Sequence, residues 1–352
     1  MEDKRDQHKP FRVLSLDGGG VRCIIQLAIL EELERVAGPI HHCFDAIIGS
    51  SVGALVGCGV SMGFGMQEST DLFYSFVDEV FSKNVRFHKK LKRMAWWSFS
   101  KHDDDRVSQV LQAIYGKTTM QDLAVNPTMV LCYNPLQSRP EIISSDEEAY
   151  AHVPVWEACK AATSAPLYFK PKRIKTRYYS DYLLDGGLVA NNPSLFGLTK
   201  GMKIMKERHG HVDLSDVMIV SLGSGKIRES TSTTIRGHIN SLTTAPFFGS
   251  SEAAHHGVKD LLDDNYYRLQ VELPNNLKRP DESYNIHEIH SITDDVIRHD
   301  YHDVIKQLAN ILVDPLPHAV TGEETAEVID ATGSSASVED LHHILIKAGT
   351  NS

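Results

Sequence analysis

Arg12-Val13-Leu14-Ser15-Leu16 is a short, almost wholly apolar run of the kind a strand buried on both faces requires. Asp17-Gly18-Gly19-Gly20 then reads as a tight turn, and from Ile24 to Val36 apolar residues recur at helical spacing. Ala46 to Gly49 is the next strand, and the small residues Gly53, Ala54, Gly57 and Gly59 predict a closely packed helix behind it. The chain therefore opens β-α-β-α. Thr128 to Tyr133 and Val217 to Leu222 have the composition of further core strands, while Leu72 to Phe81 and Val304 to Leu312 are amphipathic helices by their spacing. Strands that alternate with helices imply a mainly parallel sheet covered on both faces. Beyond Asp314 apolar material thins between Pro-rich and Gly/Ser-rich stretches, so residues 1–10 read as an extension, 11–314 as one domain and 315–352 as a tail with a short helix over Val338 to Ala348.

With 352 residues, 41% of them hydrophobic and 23% charged, the chain can bury a large core without disulfide staples. Its formal charge of −10 argues against a nucleic-acid polymer as partner and against general attraction to an anionic membrane, so any membrane contact has to be local. Five unclustered cysteines in apolar surroundings suit buried thiols of a reducing compartment. The polar N-terminus lacks the apolar core of a signal peptide, and the expected location is cytoplasmic with peripheral membrane association.

The chemistry is concentrated in three places. Gly49-Ser50-Ser51-Val52-Gly53 sits where a buried strand turns into a helix, the context of a nucleophile elbow, with Ser51 at the centre. Gly18-Gly19-Gly20, between a strand and a helix N-terminus, lets consecutive amides point into one concave site that stabilises negative charge. A dinucleotide fingerprint is excluded because Cys23 stands where its third glycine belongs; an oxyanion hole fits better. Arg22 either braces this loop and adds positive charge or is a surface arginine at a helix start. Asp185 ends the run Tyr182-Leu183-Leu184 and precedes Gly186-Gly187, which places a carboxylate at a strand end; partial desolvation there would raise its basicity. None of the 18 histidines lies in a context that marks it as the base.

Together with Ala162-Thr163-Ser164-Ala165-Pro166-Leu167-Tyr168-Phe169 and Val220-Ser221-Leu222-Gly223-Ser224-Gly225, these motifs occur in an order that resembles the patatin-like phospholipase family, both plant patatins and the catalytic domains of calcium-independent phospholipases. The resemblance runs from about Phe11 to Leu312. It implies a three-layer α/β/α patatin-like fold and a Ser-Asp dyad: Ser51 attacks an ester carbonyl, Asp185 moves the proton, and Gly18, Gly19 and Gly20 hold the oxyanion beside Arg22. It further implies a phospholipid or lysophospholipid substrate cleaved through an acyl-enzyme, with no cofactor and no metal. The alternatives are an acyltransferase or transacylase, in which an acceptor alcohol replaces water, and a non-catalytic lipid-binding or signalling module. Some bacterial members are switched on by a nucleotide second messenger or by assembly, which admits a small-molecule activator or a homo-oligomer.

Lipid has to be reached at a surface. Arg86 to Phe99 combines a cationic stretch with a tryptophan pair, and Lys89, Lys90, Trp96 and Trp97 are the candidate lipid contacts; a solvated face, a core Trp pair and a partner-binding helix compete with that reading. Lys170, Lys172, Arg173, Lys175 and Arg177 either border the same mouth or decorate an exposed hairpin. Phe247-Phe248 is an apolar loop tip or buried. Gly223-Ser224-Gly225-Lys226 lacks the upstream glycine of a phosphate loop, and His287-Glu288-Ile289-His290 lacks the spacing of a helical zinc site.

Overall fold

In the computed structural model, residues 9–81, 104–166, 168–227, 235–277 and 281–313 are described, with 235–248 as backbone only. Strands are β1 (Phe11–Leu16), β2 (Ala46–Ser50), β3 (Thr128–Asn134), β4 (Arg139–Ser144), β5 (Lys172–Lys175), β6 (Ser180–Asp185), β7 (Val217–Leu222), β8 (Lys226–Ile227), β9 (Tyr266–Leu269) and β10 (Glu272–Leu273). The α-helices are α1 (Ile24–Ala37), α2 (Val52–Ser61), α3 (Met66–Phe81), α4 (Asp104–Tyr115), α5 (Val155–Ala162), α6 (Ser194–His209), α7 (Ile235–Leu262), α8 (Ile286–Val296) and α9 (His302–Leu312).

Every residue of β1 is buried, as expected of a strand with helices on both faces. Alternation along it separates two apolar layers. Leu14 and Leu16 join Ile47, Val130 and Leu222 under helices that include α1, α2 and α3. Phe11 and Val13 instead meet Ile48, Met129, Ile219, Leu198 of α6 and Val258 of α7. The fold is thus the three-layer α/β/α arrangement expected.

The hydrogen-bonded path runs β5-β6-β3-β2-β1-β7-β9, with β4 also on β3. β1 pairs in parallel with β2 and β7, β2 with β3, and β7 with β9, so the sheet is mainly parallel. The antiparallel exceptions position the site. β4 lies along Met129 to Asn134, which occupies one edge of β3. The other edge is shared end to end: β2 rises along it until Ser50 lies opposite Leu131, and β6 descends until Asp185 lies opposite Cys132. Two chain segments more than a hundred residues apart therefore meet head-on.

Arg12 links the far end of the sheet to the last described helix, since its guanidinium donates to the carbonyls of Ile311 (2.9 Å) and Leu312 (3.4 Å). A cation at a helix C-terminus is favoured by the dipole and satisfies carbonyls that lack helical partners. All five cysteines are buried as free thiols, and burial pushes the thiols of Cys23, Cys43, Cys132 and Cys159 up, which leaves them unreactive. The basic stretch at 170–177 does form a hairpin, β5 against β6. Residues 244–249 are helical within α7, so the Phe247-Phe248 pair is not on a loop tip. No described helix is long and apolar enough to cross a membrane. Lys89, Lys90, Trp96, Trp97 and the tail from 315 onward lie outside the described residues.

Candidate active site

Ser51 occupies the turn between β2 and α2 with φ 51° and ψ −130°, a conformation that L residues rarely adopt. Its neighbours explain why it is tolerated. A Cβ at Gly53 would lie 2.5 Å from the carbonyl oxygens of Leu16 and Asp17, and one at Gly49 would collide with Ala54. Only glycine at both positions lets the helix return so sharply over the strands. The strain is stored where the hydroxyl must project.

That hydroxyl is already paired. Ser51 Oγ donates to Asp185 Oδ2 at 2.7 Å, and Asp185 Oδ1 accepts from the Gly187 amide at 2.8 Å. Asp185 is only 2% exposed, and burial pushes its carboxyl from an ordinary 3.8 up to about 6, although the two hydrogen bonds pull in the opposite direction. Such a carboxylate is ionised at neutral pH yet far more basic than one in water. No described histidine is hydrogen-bonded to either group.

The glycine loop is divided in its functions. Gly18 N–H donates to the Asn191 carbonyl at 3.0 Å, so its amide is committed, contrary to its expected place in an oxyanion hole. What Gly18 supplies is space, since a Cβ there would lie 2.9 Å from Ser51 Cβ and 2.6 Å from Asn191 Oδ1. The amides of Gly19 and Gly20 have no acceptor among the described residues, and Gly20 adopts φ 59°. Arg22 is buried, which removes the surface-arginine reading. Its Nε donates to the Gly19 carbonyl at 3.5 Å, and burial lowers its guanidinium to about 10, leaving it cationic at neutral pH.

Sequence reasoning passed over the groups that hold this loop. Asp17 is buried and receives two bonds from Arg268 of β9, at 2.8 Å to Oδ1 and 2.6 Å to Oδ2. Ser251 of α7 adds a bond to Asp17 Oδ2 at 3.0 Å, and Arg268 also donates to Ser221 at 2.8 Å. Burial alone would lower the Arg268 guanidinium, but the Asp17 carboxylate outweighs it and the net shift is upward. The one available signal was an arginine inside the strand-like run Tyr266-Tyr267-Arg268-Leu269. Ser224 Oγ further fastens the Gly18 carbonyl at 2.6 Å. On the other side of the site, Asn192 Oδ1 accepts from the Ser194 amide at 3.0 Å, shaping the chain after Asp185 as it enters α6. No group of acidic, cysteine or histidine side chains that could hold a metal occurs among the described residues.

A family model described as patatin-like phospholipase matches residues 14–195, a span that runs from β1 into α6 and includes Ser51 and Asp185. The chain belongs to that family. Among its relatives, a cGAMP-activated phospholipase of Vibrio cholerae is 27% identical over 234 residues, covering 60% of this chain and 64% of that protein. The calcium-independent phospholipase A2-gamma of Mus musculus is 27% identical over 291 residues, covering 76% of this chain and 36% of that one. A probable inactive patatin-like protein 9 of Arabidopsis thaliana is 27% identical over 260 residues, 64% of either chain. This patatin-like chain thus spans less than two thirds of the length of each. One of these relatives is named as inactive, so membership of the family does not by itself establish activity.

Proposed function

We propose that this protein hydrolyses carboxylic esters of glycerophospholipids or lysophospholipids by a Ser-Asp dyad. The observation that carries the reading is the 2.7 Å hydrogen bond from Ser51 Oγ to a buried, raised-pKa carboxylate at Asp185. In the first half-reaction Ser51 Oγ attacks the ester carbonyl as its proton passes to Asp185. The amides of Gly19 and Gly20 point at the developing oxyanion, with the loop held by Arg22 and by the Asp17–Arg268 pair. Asp185 returns the proton to the leaving alkoxide, and an acyl-serine remains. Water then gives a proton to Asp185 and attacks the acyl carbon; as the intermediate collapses, the proton returns to Ser51 and a fatty acid leaves.

Relatives named as phospholipases support lipid as the substrate class, and the cGAMP-activated relative makes a small-molecule activator a variable to include in the assay. The test is product analysis by mass spectrometry on mixed-chain phospholipids, with no acceptor alcohol, in the presence and absence of a cyclic dinucleotide. Free fatty acid from the wild type, lost in Ser51→Ala and in Asp185→Ala, is the expected result. No free acid under these conditions, with acyl transfer once an acceptor alcohol is added in a second reaction, points to a transacylase. Full activity in Asp185→Ala overturns the dyad.

A further inference from the structure

The β5–β6 hairpin carries charge and aromatic area that the ester chemistry does not use. Arg173 pairs across the strands with Tyr182, and Lys175 with Ser180, so these four side chains share one face. The opposite face is occupied. Ile174 and Leu183 are buried, Lys172 Nζ binds Glu157 at 3.0 Å, and Asp181 accepts from Asn134 at 2.8 Å and Gln137 at 3.2 Å. On the open face Arg173 and Lys175 are exposed, Tyr182 is 51% exposed and Tyr178, in the turn, 63%. Neither Arg173 nor Lys175 is in an ion pair among the described residues; Arg173 Nε donates to the Ser180 hydroxyl at 2.9 Å. Arg177 pairs with Glu148, but both side chains are mostly in solvent and the pair is weak.

Register decides where this face stands. β6 meets β3 only at Cys132 and Tyr133, so the residues before Leu184 run on past the sheet, in the direction in which β1, β2 and β3 point. From Asp185 back to Ser180 is five steps, about 17 Å at ~3.4 Å per residue, so the hairpin projects beyond the level of Ser51. The turn after β3 rises on the same side. Its Leu136 is 74% exposed, more than any other large apolar side chain among the described residues, and the Asp181 bonds to Asn134 and Gln137 join this turn to the hairpin in one rim.

We propose that this rim of Leu136, Arg173, Lys175, Tyr178 and Tyr182 docks the protein on an anionic lipid bilayer, with the Ser51 edge of the sheet facing the headgroups; the inference rests on the lipid-hydrolase reading of that edge. Tyrosine settles between headgroup and acyl region, with its ring apolar and its hydroxyl wet. Cationic side chains are drawn to an anionic leaflet. On a chain of formal charge −10 the remaining surface is repelled, so the rim sets the orientation as well as the affinity.

The test is flotation of Ser51→Ala protein, which separates binding from turnover, with phosphatidylcholine vesicles made with and without phosphatidylglycerol. The parent is expected to float with the anionic vesicles, less so as salt rises. Arg173→Gln/Lys175→Gln lowers that partition about 25-fold, or about fivefold per charge removed. Leu136→Ser/Tyr178→Ser lowers it at high salt too, and thermal melts show that both variants remain folded. Equal binding to neutral and anionic vesicles, or variants that float like the parent, overturns the proposal. So does an absence of vesicle binding in which the same substitutions instead dissociate a dimer in light scattering. A separate assay on a dispersed short-chain ester distinguishes the two readings: flotation as expected with no ester cleavage by the wild type supports docking and removes the hydrolase.

Discussion

Replacing Asp185 with asparagine is expected to stabilise the fold at neutral pH while abolishing ester hydrolysis. In the unfolded chain this carboxyl ionises near its ordinary 3.8; in the folded protein burial raises it to about 6. Between those values the folded state holds a proton that the unfolded state has released, so stability falls as pH rises through the window and levels off above it. The gap of about 2 on the pH scale corresponds to about 3 kcal/mol at ~1.4 kcal/mol per pH unit. Asparagine keeps a side-chain oxygen for the Gly187 amide and a polar partner for Ser51, but has no proton to exchange in this range. The stability of Asp185→Asn minus that of the wild type should therefore grow by about 2.4 kcal/mol between about pH 4 and about pH 8. Urea unfolding of both proteins at the two pH values measures it, and the subtraction cancels every other titrating group. A difference that does not change with pH, or that shrinks as pH rises, would refute the claim that the base is made basic by desolvation.

If the same carboxyl is the base, wild-type kcat/KM on a soluble ester should rise about tenfold per pH unit up to about pH 6 and then level off, whereas an inflection near pH 4 would mean that an ordinary carboxylate serves as base. Gly18→Ala places a Cβ 2.9 Å from Ser51 Cβ. Its expected effect is a fall in kcat of about 100-fold or more with the fold retained, as for a displaced nucleophile, and stopped-flow detection of the acyl-enzyme burst reads it. Arg268→Gln leaves the buried Asp17 carboxylate without its cation, a loss of about 3–5 kcal/mol for a broken buried pair. Denaturant unfolding checks it, and Arg268→Lys should recover only part because a lysine cannot make both bonds.

The elbow was legible because its cause is local. Two glycines flanking a serine, between a buried apolar run and small helix residues, leave few backbone paths, and φ 51° at Ser51 is what that restriction produces. The strands β1, β2, β3 and β7 were legible for a similar reason: burial on both faces makes continuous apolar runs. β9 and the helix α7 were not, since alternating or mixed composition only acquires meaning once a neighbour covers one side.

The site itself divides in the same way. From residues alone came the candidate nucleophile, the glycine loop and a carboxylate at a strand end. Only tertiary pairing decided that β6 descends the edge of β3 that β2 ascends, which brings Ser51 and Asp185, 134 residues apart, to 2.7 Å. Long-range pairing likewise gave the Gly18 amide to the Asn191 carbonyl, and brought Arg268, 251 residues away, onto Asp17. Local sterics and periodicity act over a few residues and are written in neighbouring letters. Which distant donor meets which acceptor depends on how whole strands are ordered in the sheet, and that order is selected by the burial and hydrogen bonding of the entire core.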